Sequence, residues 1–361
     1  MFALKRLAVA LAGAATLVAC SDALSPDTVD PQALNASVNT LASTFDNNAA
    51  FQSLRTLAPS FPSYNVTRLV RASVAALGVG VHRSDTRDLE DARRLLAAVR
   101  GPAGIHALFP SDVLGKTLVW DTANGGSYVV SAIAGAPANG IRIVLYVADP
   151  STGKPFVPLQ PIGNLDLTDE STPAANKLGV LLRLGGLTIA DYDITAVIGT
   201  ISASISAKGF VRSGDGTQQA NFDITVAVTP AALSVHVVIT GSDGTTIDAT
   251  ASVSGVNGTI DFAVSRDHNT IAIHIVQPVG SDSITGTIRF NGTVVATMSG
   301  LANDPTIVAA EGFPLSTADL ASLVQLFQKL GEFVGAFLEG VFAPAGIVFG
   351  KSVGITAPMA R

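Results

Sequence analysis

A two-residue period of apolar and polar positions runs through the middle of the chain, from about residue 117 to about residue 300. In runs such as 222–228 and 271–275, Val, Ile, Leu or Phe alternates mostly with Ser, Thr, Asp or Ala. This period places every second side chain on the same face of a β-strand. Turn signals such as Asp243-Gly244 and Asn291-Gly292 separate the runs, as in consecutive hairpins. The pattern predicts an antiparallel meander of about ten to twelve strands, with one buried face and one wet face.

The alternation also predicts how neighbouring strands pair, because apolar side chains have to face apolar side chains across each hairpin. A turn at Asp267-His268 pairs Phe262 with Ile273 and Val264 with Ile271, a turn at Asn257-Gly258 pairs Val253 with Phe262, and a loop at 242–244 pairs Ile239 with Ile247. On the wet face, these pairings place Ser254, Asp261 and His274 in one row.

Ser254, Asp261 and His274 are the residue types of a hydrolytic triad. Such a triad needs the imidazole between the hydroxyl and the carboxylate, where it takes up the hydroxyl proton. In the predicted row Asp261 stands in the middle, so Ser254 and His274 are two strand spacings apart, roughly 9–10 Å. The order favours a hydrogen-bonded surface row over catalysis. With no other converging acid, base and nucleophile, the chain is predicted not to be an enzyme.

An apolar stripe at helical spacing follows the strands at about 317–342 and predicts an amphipathic helix, with Ser316 and Asp319 as a capping-box-like start. A sheet of this length has to curl, and its apolar face needs a cover. The predicted fold is therefore mainly β (α+β): a curled sheet or half-barrel covered by the C-terminal helix and preceded by an N-terminal helical segment. The residues expected on the apolar core or ligand face are Phe222, Val226, Val237, Phe262, Ile273, Phe327, Val334 and Phe337.

The first twenty residues have the order of a secretory signal. Lys5 and Arg6 precede an apolar stretch that ends in Leu17-Val18-Ala19-Cys20. This ending resembles the lipobox of bacterial lipoproteins. The resemblance implies cleavage before Cys20, with a diacylglyceryl thioether on its sulfur and an acylated amine that carries a fatty acid such as palmitate. The alternative is an ordinary signal peptide with a chance cysteine.

The lipobox resemblance also implies a location. In Gram-negative members an aspartate directly after the cysteine tends to retain the protein at the inner membrane, whereas this chain has Ser21 there. The sequence therefore predicts a lipid-anchored protein of the cell envelope, held at the outer membrane on its periplasmic or surface face. Four segments follow: a signal peptide at 1–19, a lipidated flexible tether at 20–31, a helical segment at 32–110, and a β domain with its C-terminal helix at 111–361.

The charge and cysteine content exclude several partners. The 361 residues include 22 basic and 28 acidic ones, a net charge of −6. Cleavage before Cys20 removes Lys5 and Arg6 and no acid, which leaves 20 basic residues against 28 acidic ones, a net of −8. Seven arginines gather at 68–100, but the acids between them favour a solvated helix face. No nucleic-acid partner is predicted. The single cysteine, once lipidated, leaves no thiol for a disulfide.

Two short motifs near the end of the chain match the sequence patterns of known functional sites but lack the neighbouring residues that those sites require. Residues 345–352 fit a relaxed phosphate-binding loop, but too few residues follow for its helix and magnesium ligands. Residues 350–354 fit a G-x-S-x-G elbow, yet no histidine follows. The five histidines lack zinc spacing, and Asp215 and Asp243 are expected to cap their own turns. No cofactor, metal or nucleotide is predicted.

The predicted sheet and helix resemble, in pattern only and over roughly residues 117–342, the half-barrels of periplasmic lipoprotein carriers and related lipid-binding lipoproteins. The resemblance implies a non-enzymatic, lipid-anchored protein that holds an apolar or lipid ligand between sheet and helix. The alternative is a structural or protein-interaction lipoprotein with a filled core and no ligand, and an envelope hydrolase is the third interpretation. The expected partners are the membrane, through the N-terminal lipid, and a hydrophobic ligand or an envelope protein.

Overall fold

A computed structural model describes residues 107–349, with short gaps at 124–125, 150, 153, 303 and 314, and the helical residues 36, 39, 40 and 43. The predicted signal peptide, Cys20, the tether and the Arg-rich stretch at 68–100 lie outside the described residues. The motif at 350–354 and the last three residues of the motif at 345–352 lie outside them as well.

Fifteen strands form one sheet in the described part of the chain, which is mainly β as predicted. They are β1 Lys116–Asp121, β2 Ser127–Ser131, β3 Gly140–Tyr146, β4 Pro161–Asp169, β5 Asn176–Leu184, β6 Leu187–Ile198, β7 Ala203–Arg212, β8 Gln219–Val228, β9 Ala232–Gly241, β10 Thr246–Ser254, β11 Asn257–Arg266, β12 Asn269–Pro278, β13 Ser283–Phe290, β14 Thr293–Leu301 and β15 Asp304–Ala309. The sheet is curled and unclosed, with β2 and β15 at its edges.

The sheet has more strands than the ten to twelve that the sequence predicted. β15 begins after residue 300, where the two-residue period weakens, and β5 contains the nearly continuous apolar run Val180-Leu181-Leu182. The meander is antiparallel from β3 onwards, but β1 lies between β2 and β3 and is parallel to β3. This exception to the predicted antiparallel order brings together strands that are not consecutive.

Two of the three predicted registers are confirmed. Phe262 lies opposite Ile273, and Ile239 lies opposite Ile247. The third is wrong, because the chain turns at Gly255-Val256 and pairs Phe262 with Ala249. Gly255 has a φ of 60°, a left-handed conformation that a turn can use and a strand interior cannot. The predicted and the observed register of this hairpin differ by an even number of residues, so both bury the same side chains of the strand.

The helix α1, Thr317–Phe349, follows β15. Its start is a capping box as predicted, since the Ser316 amide donates to Asp319 and the Asp319 amide donates back to the Ser316 hydroxyl. The predicted end at 342 is wrong, because the helix continues through Pro344, which removes only one backbone hydrogen bond, and keeps Ala345 buried. Within the described residues, no helix combines the length and apolarity that a membrane crossing requires.

α1 runs across the strands on one side of the sheet, here called the inner face. The short connection from Ala309 holds its first turn near β15, whereas Phe337 contacts Phe222 in β8 and Val341 contacts Tyr192 in β6. The inward side chains of β1–β14 and one side of α1 form a continuous buried core. The hydroxyl, acidic and basic side chains of the later strands alternate with them on the outer face.

Candidate functional site

The contact between α1 and the inner face is where the sequence placed a ligand or a core. All eight predicted residues lie in one buried cluster. Phe222 is 4% exposed, Phe327 and Phe337 are 3% exposed, and the other five are at most 1% exposed, namely Val226, Val237, Phe262, Ile273 and Val334. All eight are therefore buried, and Phe222 and Phe337 are in contact across the sheet and the helix.

Aromatic rings from both elements interlock at this contact. The ring of Phe222 meets that of Phe337 edge to face, with centroids 5.2 Å apart, and meets that of Tyr192 in the same way at 5.4 Å. Phe337 also stacks on Phe333, one turn earlier in α1. Such pairs contribute about 0.5–1.5 kcal/mol each beyond the area that they bury. In this region the aromatic side chains of the helix pack directly against those of the sheet.

Tyr192 adds a polar contact that the sequence analysis did not single out. Its hydroxyl donates a hydrogen bond of 2.9 Å to the main-chain carbonyl of Val341, in a buried position. Burial raises the pKa of Tyr192, so the phenol remains a donor throughout the ordinary pH range. The available signal was a tyrosine at an inward position of an otherwise apolar strand face.

The predicted surface row is confirmed in part. Asp261 lies opposite His274, and His274 Nδ1 is 2.7 Å from Asp261 Oδ1. Ser254 is not in the row, because it ends its strand opposite Asn257, and Thr250 takes the position beside Asp261. With both pair members about half exposed, such an ion pair contributes about 0–1 kcal/mol. The arrangement is therefore not a catalytic triad.

A second pair on the same outer face is formed by His236 and Asp248. The Nε2 atom of His236 is 3.1 Å from the Oδ1 atom of Asp248. Both side chains are about half exposed, as in the first pair. In the part of the chain that the structure describes, no group of three or more His, Cys, Asp or Glu is arranged to hold a metal ion.

The two aspartates in Asp-Gly turns cap these turns, as predicted. Asp215 Oδ1 accepts hydrogen bonds from the Ser213 hydroxyl and from the Thr217 amide and hydroxyl. These contacts, the Ser213 hydroxyl foremost, lower the pKa of Asp215 to about 2. Asp243 similarly accepts from the amide and hydroxyl of Thr245. Both carboxylates are engaged within their own loops.

A charged cluster on β3–β5 was missed at the sequence level. Arg142 binds Asp166 through two parallel hydrogen bonds, Nε to Oδ1 at 2.6 Å and Nη2 to Oδ2 at 2.7 Å. Arg183 adds a bond of 3.2 Å, and Asn164 donates to the same carboxylate. Asp166 is only 5% exposed, so the two guanidinium groups compensate a buried charge. The signal was a charged residue between apolar neighbours on adjacent strands, at Arg142 and at Asp166.

Comparisons of the chain with family models, with curated protein sequences and with solved structures find no match. The contact between α1 and the inner face is the candidate functional feature among the described residues.

Proposed function

We propose that this protein is a non-enzymatic, lipid-anchored protein of the cell envelope and that its sheet and helix form a self-filled scaffold. A self-filled scaffold is a curled sheet whose inner face is occupied by side chains of its own helix. The observation that carries the proposal is the contact of Phe337 with Phe222, together with the hydrogen bond from Tyr192 to Val341. It supports the interpretation of a structural or interaction lipoprotein over that of a ligand carrier.

The free energy needed to separate α1 from the inner face favours the scaffold. Burial of one Phe or Val side chain contributes about 1.5–3 kcal/mol. Release of α1 exposes at least Phe327, Val334 and Phe337, each at most 3% exposed in the closed form. The sum approaches the stability of a whole domain, about 5–15 kcal/mol. A ligand that displaced the helix would have to replace most of that burial.

The anchor is proposed from Cys20 and the lipobox that precedes it. Acyl chains contribute about 0.8 kcal/mol per buried CH₂, so several chains hold a protein stably where one is marginal. The cleaved chain has a net charge of −8 and gains no attraction from anionic lipid, so the acyl chains supply the anchoring. The outer membrane is the proposed location, because Ser21 and not aspartate follows Cys20.

Intact mass measurement of the protein extracted from membranes tests the anchor. The expected mass is that of residues 20–361 plus a diacylglyceryl group and one acyl chain. The Cys20→Ala variant, exported with an ordinary signal peptide, is expected to leave the membrane fraction. A native protein that retains residues 1–19, or a free Cys20 thiol, would refute the anchor.

An apolar-ligand carrier is the second candidate function. It is favoured by the unclosed edges of the sheet and by Gly331, Gly335 and Gly340 within α1, each of which costs about 1 kcal/mol in helix propensity. Thermal unfolding with added fatty acid or phospholipid separates the two candidates. A carrier gains stability by mass action, whereas a self-filled scaffold keeps the same Tm.

A further inference from the structure

The inner face of the sheet is wider than α1. In β8, the inward residues from Ala220 to Val228 are each at most 4% exposed. They extend over about 26 Å of strand, at about 3.3 Å per residue. A helix measures about 10–12 Å across with its side chains, and α1 crosses the strands, so it covers less than half of this length. Burial of the whole strand therefore requires a second element beside α1.

The part of the inner face that α1 does not reach can be located on β8 and β9. α1 passes β8 at Phe222, which contacts Phe337, whereas Val228 lies six residues further along the strand, about 20 Å away. Val228 is nevertheless only 1% exposed, and Leu233, which lies opposite it in β9, is 3% exposed. The lateral strip is the name used here for the four residues Val226, Val228, Leu233 and Val235.

One hydrogen bond joins α1 to the N-terminal part of the chain. Lys329 Nζ donates to Asn39 Oδ1 at 3.1 Å. Asn39 belongs to the helix that contains residues 36, 39, 40 and 43, here called the N-terminal helix. At about 100° per residue, Lys329 lies about 80° from Phe337 around the axis of α1, on the flank of the helix. The bond therefore places the N-terminal helix beside α1.

The N-terminal helix has a polar side and an apolar side. The residues of the polar side are exposed, namely Ala36, Asn39, Thr40 and Ser43. The sequence places an apolar stripe at helical spacing around them, namely Leu34, Val38, Leu41 and Phe45. On a helical wheel, the centre of this stripe lies about 180° from the centre of the exposed residues. A helix of this pattern buries its apolar side against a core.

We propose that the N-terminal helix lies beside α1 on the inner face and packs its apolar stripe on the lateral strip. This inference deepens the proposed self-filled scaffold and rests on it for its functional meaning. The lateral strip is buried without a cover from α1, and the N-terminal helix, already in contact with α1, supplies an apolar side of the same chain. The scaffold is then filled by two helices, and an apolar ligand would have to displace both.

The packing also ties the proposed lipid anchor to the core. The 14 residues from Cys20 to Leu34 span about 46 Å at most, at about 3.3 Å per residue. The acyl chains are therefore connected by this short segment to an element that is packed inside the scaffold.

Cross-linking in the mature Cys20→Ala chain tests the position of the N-terminal helix. Asn39→Cys with Lys329→Cys places two thiols where the hydrogen bond lies, and a short bis-maleimide joins thiols only when they are close. Asn39→Cys with Thr225→Cys is the matched control, because Thr225 is exposed on the outer face of β8. We expect a cross-link within one chain for the first pair and none for the control. Equal cross-linking of both pairs, or a link that joins two chains, would overturn the proposal.

Thiol protection in the same Cys20→Ala chain tests the orientation of the N-terminal helix. Leu41→Cys places a thiol on the apolar stripe, and Thr40→Cys places one on the exposed side next to it. We expect a maleimide to label position 41 at least about tenfold more slowly than position 40, because a buried thiol reacts only when the structure opens locally. Equal labelling rates at the two positions would overturn the packing of the stripe.

The outcomes for this packing and for the self-filled scaffold can be told apart. Native mass spectrometry detects a bound lipid in the same Cys20→Ala chain, whatever the result of the cross-link. A chain that carries no lipid and does not cross-link overturns the packing of the N-terminal helix alone. A chain that cross-links and carries a lipid supports that packing and overturns the self-filled scaffold.

Discussion

The Tyr192 hydroxyl donates a hydrogen bond to the Val341 carbonyl and so joins the centre of β6 to the second half of α1. A buried hydroxyl without a partner costs about 1–3 kcal/mol, so positions of α1 that break this bond are disfavoured. Apolar contacts alone specify a helix position only loosely. The bond therefore fixes α1 along the sheet, while Phe222 and Phe337 supply the packing.

Tyr192→Phe is expected to lower the free energy of unfolding by about 1–2 kcal/mol, because the substitution removes the donor and leaves the carbonyl without it. Amide hydrogen exchange near Val341 is expected to accelerate in this variant. Tyr128→Phe is the matched control, since it removes a tyrosine bond to the Val144 carbonyl, away from α1. Unchanged exchange in α1 of the Tyr192 variant would show that the bond does not hold the helix.

Phe337→Ala is expected to destabilise the protein by about 3–5 kcal/mol, the cost of a large cavity in a core. Its ring contacts both Phe222 and Phe333. Gln325→Ala, on the exposed side of α1, is the control and is expected to change stability by less than about 0.5 kcal/mol. Urea unfolding measures both. Similar values for the two variants would contradict the packing of the helix on the inner face.

Asp166→Leu is expected to destabilise the fold by about 2–3 kcal/mol, because it leaves Arg142 without its bidentate partner in a partly buried position. Arg142→Met in the same protein is expected to restore at least half of that loss, since an apolar pair of similar volume needs no charge compensation. A double-mutant cycle measures the coupling. Additive losses from the two substitutions would show that the ion pair is not coupled.

The carboxyl of Asp215 is expected to titrate at a pKa of about 2 in the folded protein. This value lies below that of an unfolded aspartate, about 3.9, so the folded state gains stability above that pH and loses it as the pH falls through the folded pKa. Ser213→Ala is expected to raise the pKa towards the ordinary value, because the Ser213 hydroxyl is the largest cause of the shift. Carboxyl NMR titration measures the change, and an unaltered pKa would refute the assignment.

The sheet and its inner face could be predicted because the two-residue period states which side chains are buried, and it persists from β7 to β12. The turn at Gly255-Val256 could not, since registers that differ by an even number of residues bury the same side chains. The sequence analysis placed the turn at Asn257-Gly258, but the chain turns two residues earlier, at Gly255, which has a left-handed φ. Ser254 was misplaced for the same reason.

The missed features depend on contacts between segments that local patterns do not connect. The parallel pairing of β1 with β3 and the cluster of Arg142, Asp166 and Arg183 need the register of three strands at once. The bond from Tyr192 to Val341 joins residues far apart in the chain.

Native mass spectrometry of the mature Cys20→Ala chain, purified from the cells that produce it, tests the self-filled scaffold most directly. If α1 occupies the inner face, the spectrum shows the mass of the bare chain, and incubation with fatty acids or phospholipids adds no bound species. A lipid that co-purifies with the Cys20→Ala chain, remains bound when Phe337 is also replaced by alanine, and raises the Tm of the Cys20→Ala chain would contradict the scaffold. That result would identify the protein as a carrier.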